Sequence, residues 1–448
     1  MEELARSVDR AKWGGAHSMI FASTSLGFFI WGLESELGIL YYVTLHSLAF
    51  LVAFYAMDFV GDLLVPRLSD TRLARKGAFY LTMTLMGVGL TVLAVDLAVT
   101  RGVGPAALPT AIAGAFVAKI GIEGDVPVSL SFLAENTPAA DREFSLIMAP
   151  NFNNLGSAVG AVIAMVTYYL TNSTMYMALS VAAAAIAALA VLAAVRVSMP
   201  ESVRWLLARG FRERAEGEAR RLAAEARAGF EPREVTPTVG LLGRYAFLVA
   251  LGVSQYITFG LMAFVIAAFY YQSQPLVLAW ITFVATMGAS VAAVPAYLLA
   301  KRMDSRDFAL LSYLGGLVTM IPIVLFVLYF PTDMALFYAL LFVNMVFSEF
   351  SWAVRTVLEP MLFPTEVRAT MIGLVRAVPM AVYDVSSYLT SSFTELQFVW
   401  YNAAFWALGA AATAVWRLVG YDVRGALLES ASRRPGLRGL PSPSAAPA

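Results

Sequence analysis

The chain has 448 residues, of which 59% are hydrophobic and only 14% charged, with 31 basic side chains against 31 acidic ones. A soluble domain carries about 25% charged residues, so most of this surface must face something apolar, and no basic stripe suits nucleic acid. With no cysteine and only two histidines, His17 and His46, the chain has no disulfides, no thiol nucleophile and no Cys- or His-rich metal site. Neither a metal nor a cofactor is expected.

The charged start, residues 1–15, reads as a short N-terminal segment, and the apolar block after it is too long for a signal peptide. Six blocks long enough to cross a bilayer then follow, near Ala16–Leu37, Thr44–Val65, Gly77–Val99, Leu108–Leu133, Phe144–Leu170 and Met175–Val197. Residues 198–244 form the only long polar stretch between the termini, and Glu216–Arg220 within it suits an exposed helix. Six more blocks lie near Tyr245–Tyr271, Leu276–Ala300, Phe308–Phe330, Met334–Val357, Met371–Phe393 and Phe398–Val419. The tail, residues 420–448, ends in a Pro-, Ser- and Ala-rich run that cannot bury a core and is expected to be disordered.

The loops alternate in charge. Those after even-numbered blocks carry Arg67, Arg72, Arg75 and Lys76, then Arg142, the central stretch, Lys301, Arg302 and Arg306, and Arg368; those after odd-numbered blocks carry only Arg101. The positive-inside rule therefore puts both termini in the cytoplasm and favours an even number of spans. The reading is an all-α membrane protein with twelve transmembrane helices in two pseudo-symmetric six-helix bundles, residues 16–197 and 245–419.

The residues at the span ends resemble a known family. Pro200-Glu201-Ser202-Val203-Arg204-Trp205-Leu206 is similar to the signature after span six of the sugar-porter and general-metabolite (organic acid) branch of the major facilitator superfamily. Glu135, Pro138 and Arg142 resemble its span-four ending, and Pro364-Thr365-Glu366-Val367-Arg368 its span-ten ending. Asp70, Arg72, Arg75 and Lys76 resemble its loop between spans two and three, with Ala74 where the family has glycine. The resemblance implies an alternating-access transporter of the cell membrane rather than an enzyme, with Asp70, Arg72, Arg75, Glu135, Arg142, Glu201, Arg204, Glu366 and Arg368 as a cytoplasmic latch. Trp31-Gly32-Leu33-Glu34 resembles the family's Phe-Gly-Tyr-Asp, whose acid is implicated in proton coupling.

Ionisable groups inside a bilayer cost at least ~2.5 kcal/mol each, so each needs a partner or a wet cavity. Lys119 lies roughly 18 Å into span four, near the midplane, and Glu123 sits one turn on along the same face. Glu34 and Glu36 are two apart and face different ways, so Glu34 is taken as the cavity residue. Asp58 and Asp62 are expected to serve the latch, and His17 to be structural. Asn151, Asn154, Gln255, Glu349 and Asp384 are expected to line the path. The functional expectation is a monomeric secondary transporter of a small polar metabolite, coupled to protons by symport, with Lys119 favouring an organic acid over a sugar. A uniporter or exporter of the same fold, and a transporter-like sensor, are the alternatives.

Overall fold

The computed structural model describes residues 2–433 and 435; the end of the Pro-, Ser- and Ala-rich tail lies outside the described residues. In chain order the helices are α1 (Glu2–Asp9), α2 (Gly15–Leu45), α3 (Leu48–Ala56), α4 (Asp58–Leu68), α5 (Ala74–Thr100), α6 (Ala107–Asn136), α7 (Arg142–Thr171) and α8 (Thr174–Val197). The polar stretch contributes α9 (Val203–Ala208) and α10 (Arg212–Leu222). The second half holds α11 (Leu241–Gly260), α12 (Ile266–Tyr270), α13 (Pro275–Arg302), α14 (Ser305–Tyr329), α15 (Met334–Met361), α16 (Arg368–Thr390), α17 (Glu395–Val419) and α18 (Leu428–Ser432).

Among the described residues, nine segments are long and apolar enough to cross a membrane, and one of them, Leu48–Thr100, contains two crossings. The two long helices that fail this measure are α6 and α16. They carry Lys119, Glu123 and Asp125, and Arg368, Arg376 and Asp384. Counting them gives the twelve spans.

Span boundaries differ most from expectation between the first two spans. The first span runs on to Leu45, so Thr44 belongs to it, and the second opens only at α3. The stop is made by His46, whose φ of 49° breaks the helix, and Ser47 then caps α3 by accepting from Phe50 N at 3.3 Å. The second span is further divided at Met57 into α3 and α4.

Small residues set the packing within the first bundle. A Cβ on Gly32 would stand 2.0 Å from Asn153 O, and one on Gly156 would stand 2.1 Å from Phe29 O. Helices α2 and α7 therefore touch backbone to backbone. In the second bundle α13 and α14 pack on α15, and α11 packs on α16 and α17. The bundles meet where α7 faces α13 and where α16 faces α3, α4 and α6.

Both described termini and the central stretch gather at one end, called here the terminal face. Asp9 of α1 receives both the Arg142 and the Arg204 guanidinium, and Arg204 also reaches Glu429 of α18 at 2.7 Å. Helix α10 is not a free linker. Its Ala215, Ala219 and Leu222 are buried, partly against α1. Its ion pairs are Arg212–Glu216 at 3.2 Å and Arg221–Glu218 at 3.1 Å, so Glu216 pairs back to Arg212 rather than forward to Arg220.

Candidate functional site

A central cavity with about 610 Å³ of atom-free space lies between the bundles. The first bundle contributes Trp31, Tyr55, Lys119, Asn153 and Asn154. The second contributes Gln255, Tyr256, Glu349, Trp352 and Tyr383. Ring pairs span the gap: Trp31 and Trp352 have centroids 6.1 Å apart, and Tyr55 and Tyr383 4.7 Å apart. Beside the cavity α11 gives way to a π-helical turn, Leu261–Val265, which sets Phe264 in the wall. Such turns re-aim side chains at functional sites.

Lys119 forms the cavity floor. Its Nζ lies 3.1 Å from Asp58 Oδ1, 3.2 Å from Glu34 Oε2 and 3.7 Å from Glu123 Oε1, with the Phe54 ring centroid at 4.2 Å. Glu123 has a second cation. Arg376 of α16 donates to Glu123 Oε2 at 2.7 Å and to Asp62 Oδ1 at 2.9 Å, across the bundle interface. All six side chains are buried. Four carboxylates thus share two cations, and Glu123 is the hinge between them.

Toward the terminal face a second network clamps the bundles. Glu135 accepts from Arg75 of its own bundle at 2.7 Å and from Arg368 of the other at 2.8 Å. Asp70 pairs with Arg75 and accepts from Thr370 N and Oγ1, both at 2.7 Å, at the N-terminus of α16. That helix end favours a negative charge. Glu201 accepts from the backbone N–H groups of Arg75 and Lys76 at 3.2 and 3.0 Å. Burial pushes the Glu201 carboxyl up, and those backbone donors oppose the rise. Burial likewise works against the charged form of Glu429, yet the Arg204 guanidinium beside it outweighs that and holds its pKa down to about 2. Between the bundles at the opposite face the polar contact is slight: His46 Nδ1 lies 3.4 Å from Gln272 Nε2, and no ion pair joins the bundles there among the described residues.

Residues 13–376 match the Major Facilitator Superfamily. The chain belongs to the major facilitator superfamily. Among solved structures, this superfamily member is similar to the proton:xylose symporter XylE bound to 6-bromo-6-deoxy-D-glucose, with a TM-score of 0.73 and 18% identity over 93% of this chain and 98% of that one. It is also similar to an inward-open conformation of the xylose transporter XylE from E. coli, with a TM-score of 0.65 and 16% identity over 93% and 99% of the two chains. No curated protein matches. The superfamily member is therefore a multi-pass membrane protein and a secondary transporter, not an enzyme.

The structure brings together Glu34, Lys119 and Glu123, and places Asn154, Gln255 and Glu349 on the cavity wall. Glu36 packs beside Gly160 of α7, away from Lys119. Asp384 is only partly buried and stays outside the cavity lining. Asn151 also leaves the lining; it donates to Ser290 O at 3.0 Å and so ties α7 to α13. Gln255 is held by Arg355, which donates to its Oε1 at 2.6 Å. In the clamp, Asp70, Arg75, Glu135, Glu201 and Arg368 converge, while Arg142 and Arg204 turn to Asp9. Arg72 and Glu366 are exposed and outside it, because their loops turn them to the surface; Thr365 serves instead, accepting from Arg368 at 2.9 Å.

Asp58 sits at the cavity floor beside Lys119, and Asp62 pairs across the bundle interface with Arg376. The break at Met57 rotates α4 so that both carboxylates face α6 and α16. Arg376 is the residue that sequence reasoning most clearly missed. The signal was present, since an arginine within span eleven carries the same insertion penalty as Lys119 within span four.

Proposed function

We propose that this transporter is a proton-coupled symporter of the cytoplasmic membrane, with its terminal face in the cytoplasm. It carries a small polar solute through the central cavity by rocking of the two bundles. The observation that supports this most directly is Glu123, shared between Lys119 on its own helix and Arg376 of the other bundle. A proton added to Glu123 cancels the charge that holds Arg376, so protonation and separation of the bundles are linked. The four-to-two excess of carboxylates over cations at the floor gives protons somewhere to sit, since uncompensated buried charge is costly.

The reason to expect an organic acid is the cation that Lys119 places near the midplane. Lys119 has three carboxylates around it, which removes that reason. Proteoliposome counterflow, with and without an inward proton gradient, tests the proposal in wild type and in Glu123→Gln. Gradient-driven accumulation that Glu123→Gln abolishes while counterflow persists is the expected result. Accumulation that ignores the gradient would refute the coupling.

A further inference from the structure

We infer that the central cavity selects a small organic cation, with Glu349 as its counter-ion. The inference rests on the transport reading above and names the substrate class of the same cavity. Two charged side chains line that cavity, Lys119 and Glu349. Lys119 is fully engaged by its three carboxylates. Among the described residues Glu349 has no cation partner. Its Oε2 accepts from Asn154 Nδ2 at 2.7 Å, and its buried Oε1 accepts from nothing.

The surroundings share this sign. Glu349 and, linked behind the lining by ion pairs, Glu34, Asp58, Asp62, Glu123 and Glu359 are buried, and among the described residues Lys119, Arg355 and Arg376 pair with these acids. An anion would enter a site where carboxylates outnumber cations, in a medium that screens poorly. A neutral solute would leave Glu349 either to take up a proton or to stand charged without an opposite charge, which is costly when buried. A cation supplies it.

The walls suit the same ligand. Aromatic faces attract ammonium and guanidinium groups within about 6 Å. Here they already do so for the protein's own cations, with Arg376 lying 5.4 Å from the Trp31 ring and Arg355 5.2 Å from the Trp352 ring. Trp352 is three residues after Glu349 on α15, hence on the same face. Carboxylate and indole are presented together, with Trp31, Tyr55 and Tyr256 around them. Protons on the floor acids and a cation on Glu349 occupy different groups, so the two bind without competing for one carboxylate.

Binding to the purified full-length chain, followed by quenching of its tryptophans, tests the assignment with tetraethylammonium, xylose and lactate as probes. Saturable quenching by tetraethylammonium alone is expected. Glu349→Gln should weaken it by about thirtyfold or more, the usual scale for losing one partner of a buried charge pair. Asp384→Asn, outside the cavity, should bind as wild type. Binding of xylose or lactate but not tetraethylammonium would overturn the assignment, as would tetraethylammonium binding unchanged in Glu349→Gln, or no tetraethylammonium binding at all. If Glu349→Gln does not fold, the wild-type selectivity among the three probes decides alone. The measurement needs no gradient, so a failure here is distinct from a failure of proton coupling in proteoliposomes.

Discussion

Replacing Arg376 with glutamine should release the bundles at the terminal face. In the clamped arrangement Arg376 donates to Asp62 at 2.9 Å and Glu123 at 2.7 Å, and all three side chains are fully buried. Removing the cation leaves two carboxylates buried with one fewer partner, and breaking a buried pair in this way costs about 3 kcal/mol or more. Once the bundles part, water solvates both acids, so the penalty falls mainly on the clamped state. A bias of about 3 kcal/mol is a population shift on the order of a hundredfold. The chain has no cysteine, so Ala369→Cys, at a fully buried position beside Thr370, would be its only thiol. Labelling of that thiol by a membrane-impermeant maleimide, applied from the terminal side, should accelerate about a hundredfold in Arg376→Gln. Adding Asp62→Asn and Glu123→Gln to Arg376→Met removes the stranded charges and should slow labelling again. An unchanged rate in folded Arg376→Gln would show that the cross-bundle pairing does not hold this face shut.

Three further outcomes are expected. A Cβ on Gly373 would stand 1.9 Å from Asp62 O across the bundle interface, so Gly373→Ala should speed labelling at Ala369→Cys while the helices stay folded; Gly156→Ala, a clash within one bundle, should instead lower thermal stability. Ala74 adopts φ 60° and ψ −177°, a conformation that essentially only glycine takes without strain, so Ala74→Gly should raise thermal stability by about 1 kcal/mol, net of the added chain entropy. Glu429 has its folded pKa lowered to about 2 from an ordinary 4.5, so its contribution to docking α18 is present above about 4.5 and is lost as pH falls toward 2. A fluorophore on the C-terminal segment should report undocking over that window in wild type, and a flat response there in Glu429→Gln.

That Ala74 stands where the family has glycine was visible in the sequence, but its meaning was not, because only the backbone dihedrals show what the position demands. The same holds for Asp70, Arg75, Glu135 and Arg368. Their loop motifs named them as a latch, yet nothing in the chain order tells that Asp70 caps α16 of the other bundle. Arg72 and Glu366 sit in the same motifs and turn outward, a difference of side-chain direction that spacing alone does not carry.

Hydropathy, loop charge and span-end motifs were enough for the architecture, since the cost of burying backbone and charge in lipid acts along the chain and can be read residue by residue. The insertion penalty likewise marked Glu34, Lys119, Glu123 and Glu349 as residues that need a partner. Which partner each one found was decided in three dimensions. The clasp of Asp9 on Arg142 and Arg204 and the reach of Arg376 into the first bundle join segments far apart in sequence. Ion pairing acts over a few ångströms of space, whatever the distance along the chain, so the packed bundles alone assign Lys119 to three acids and, among the described residues, leave Glu349 without a cation.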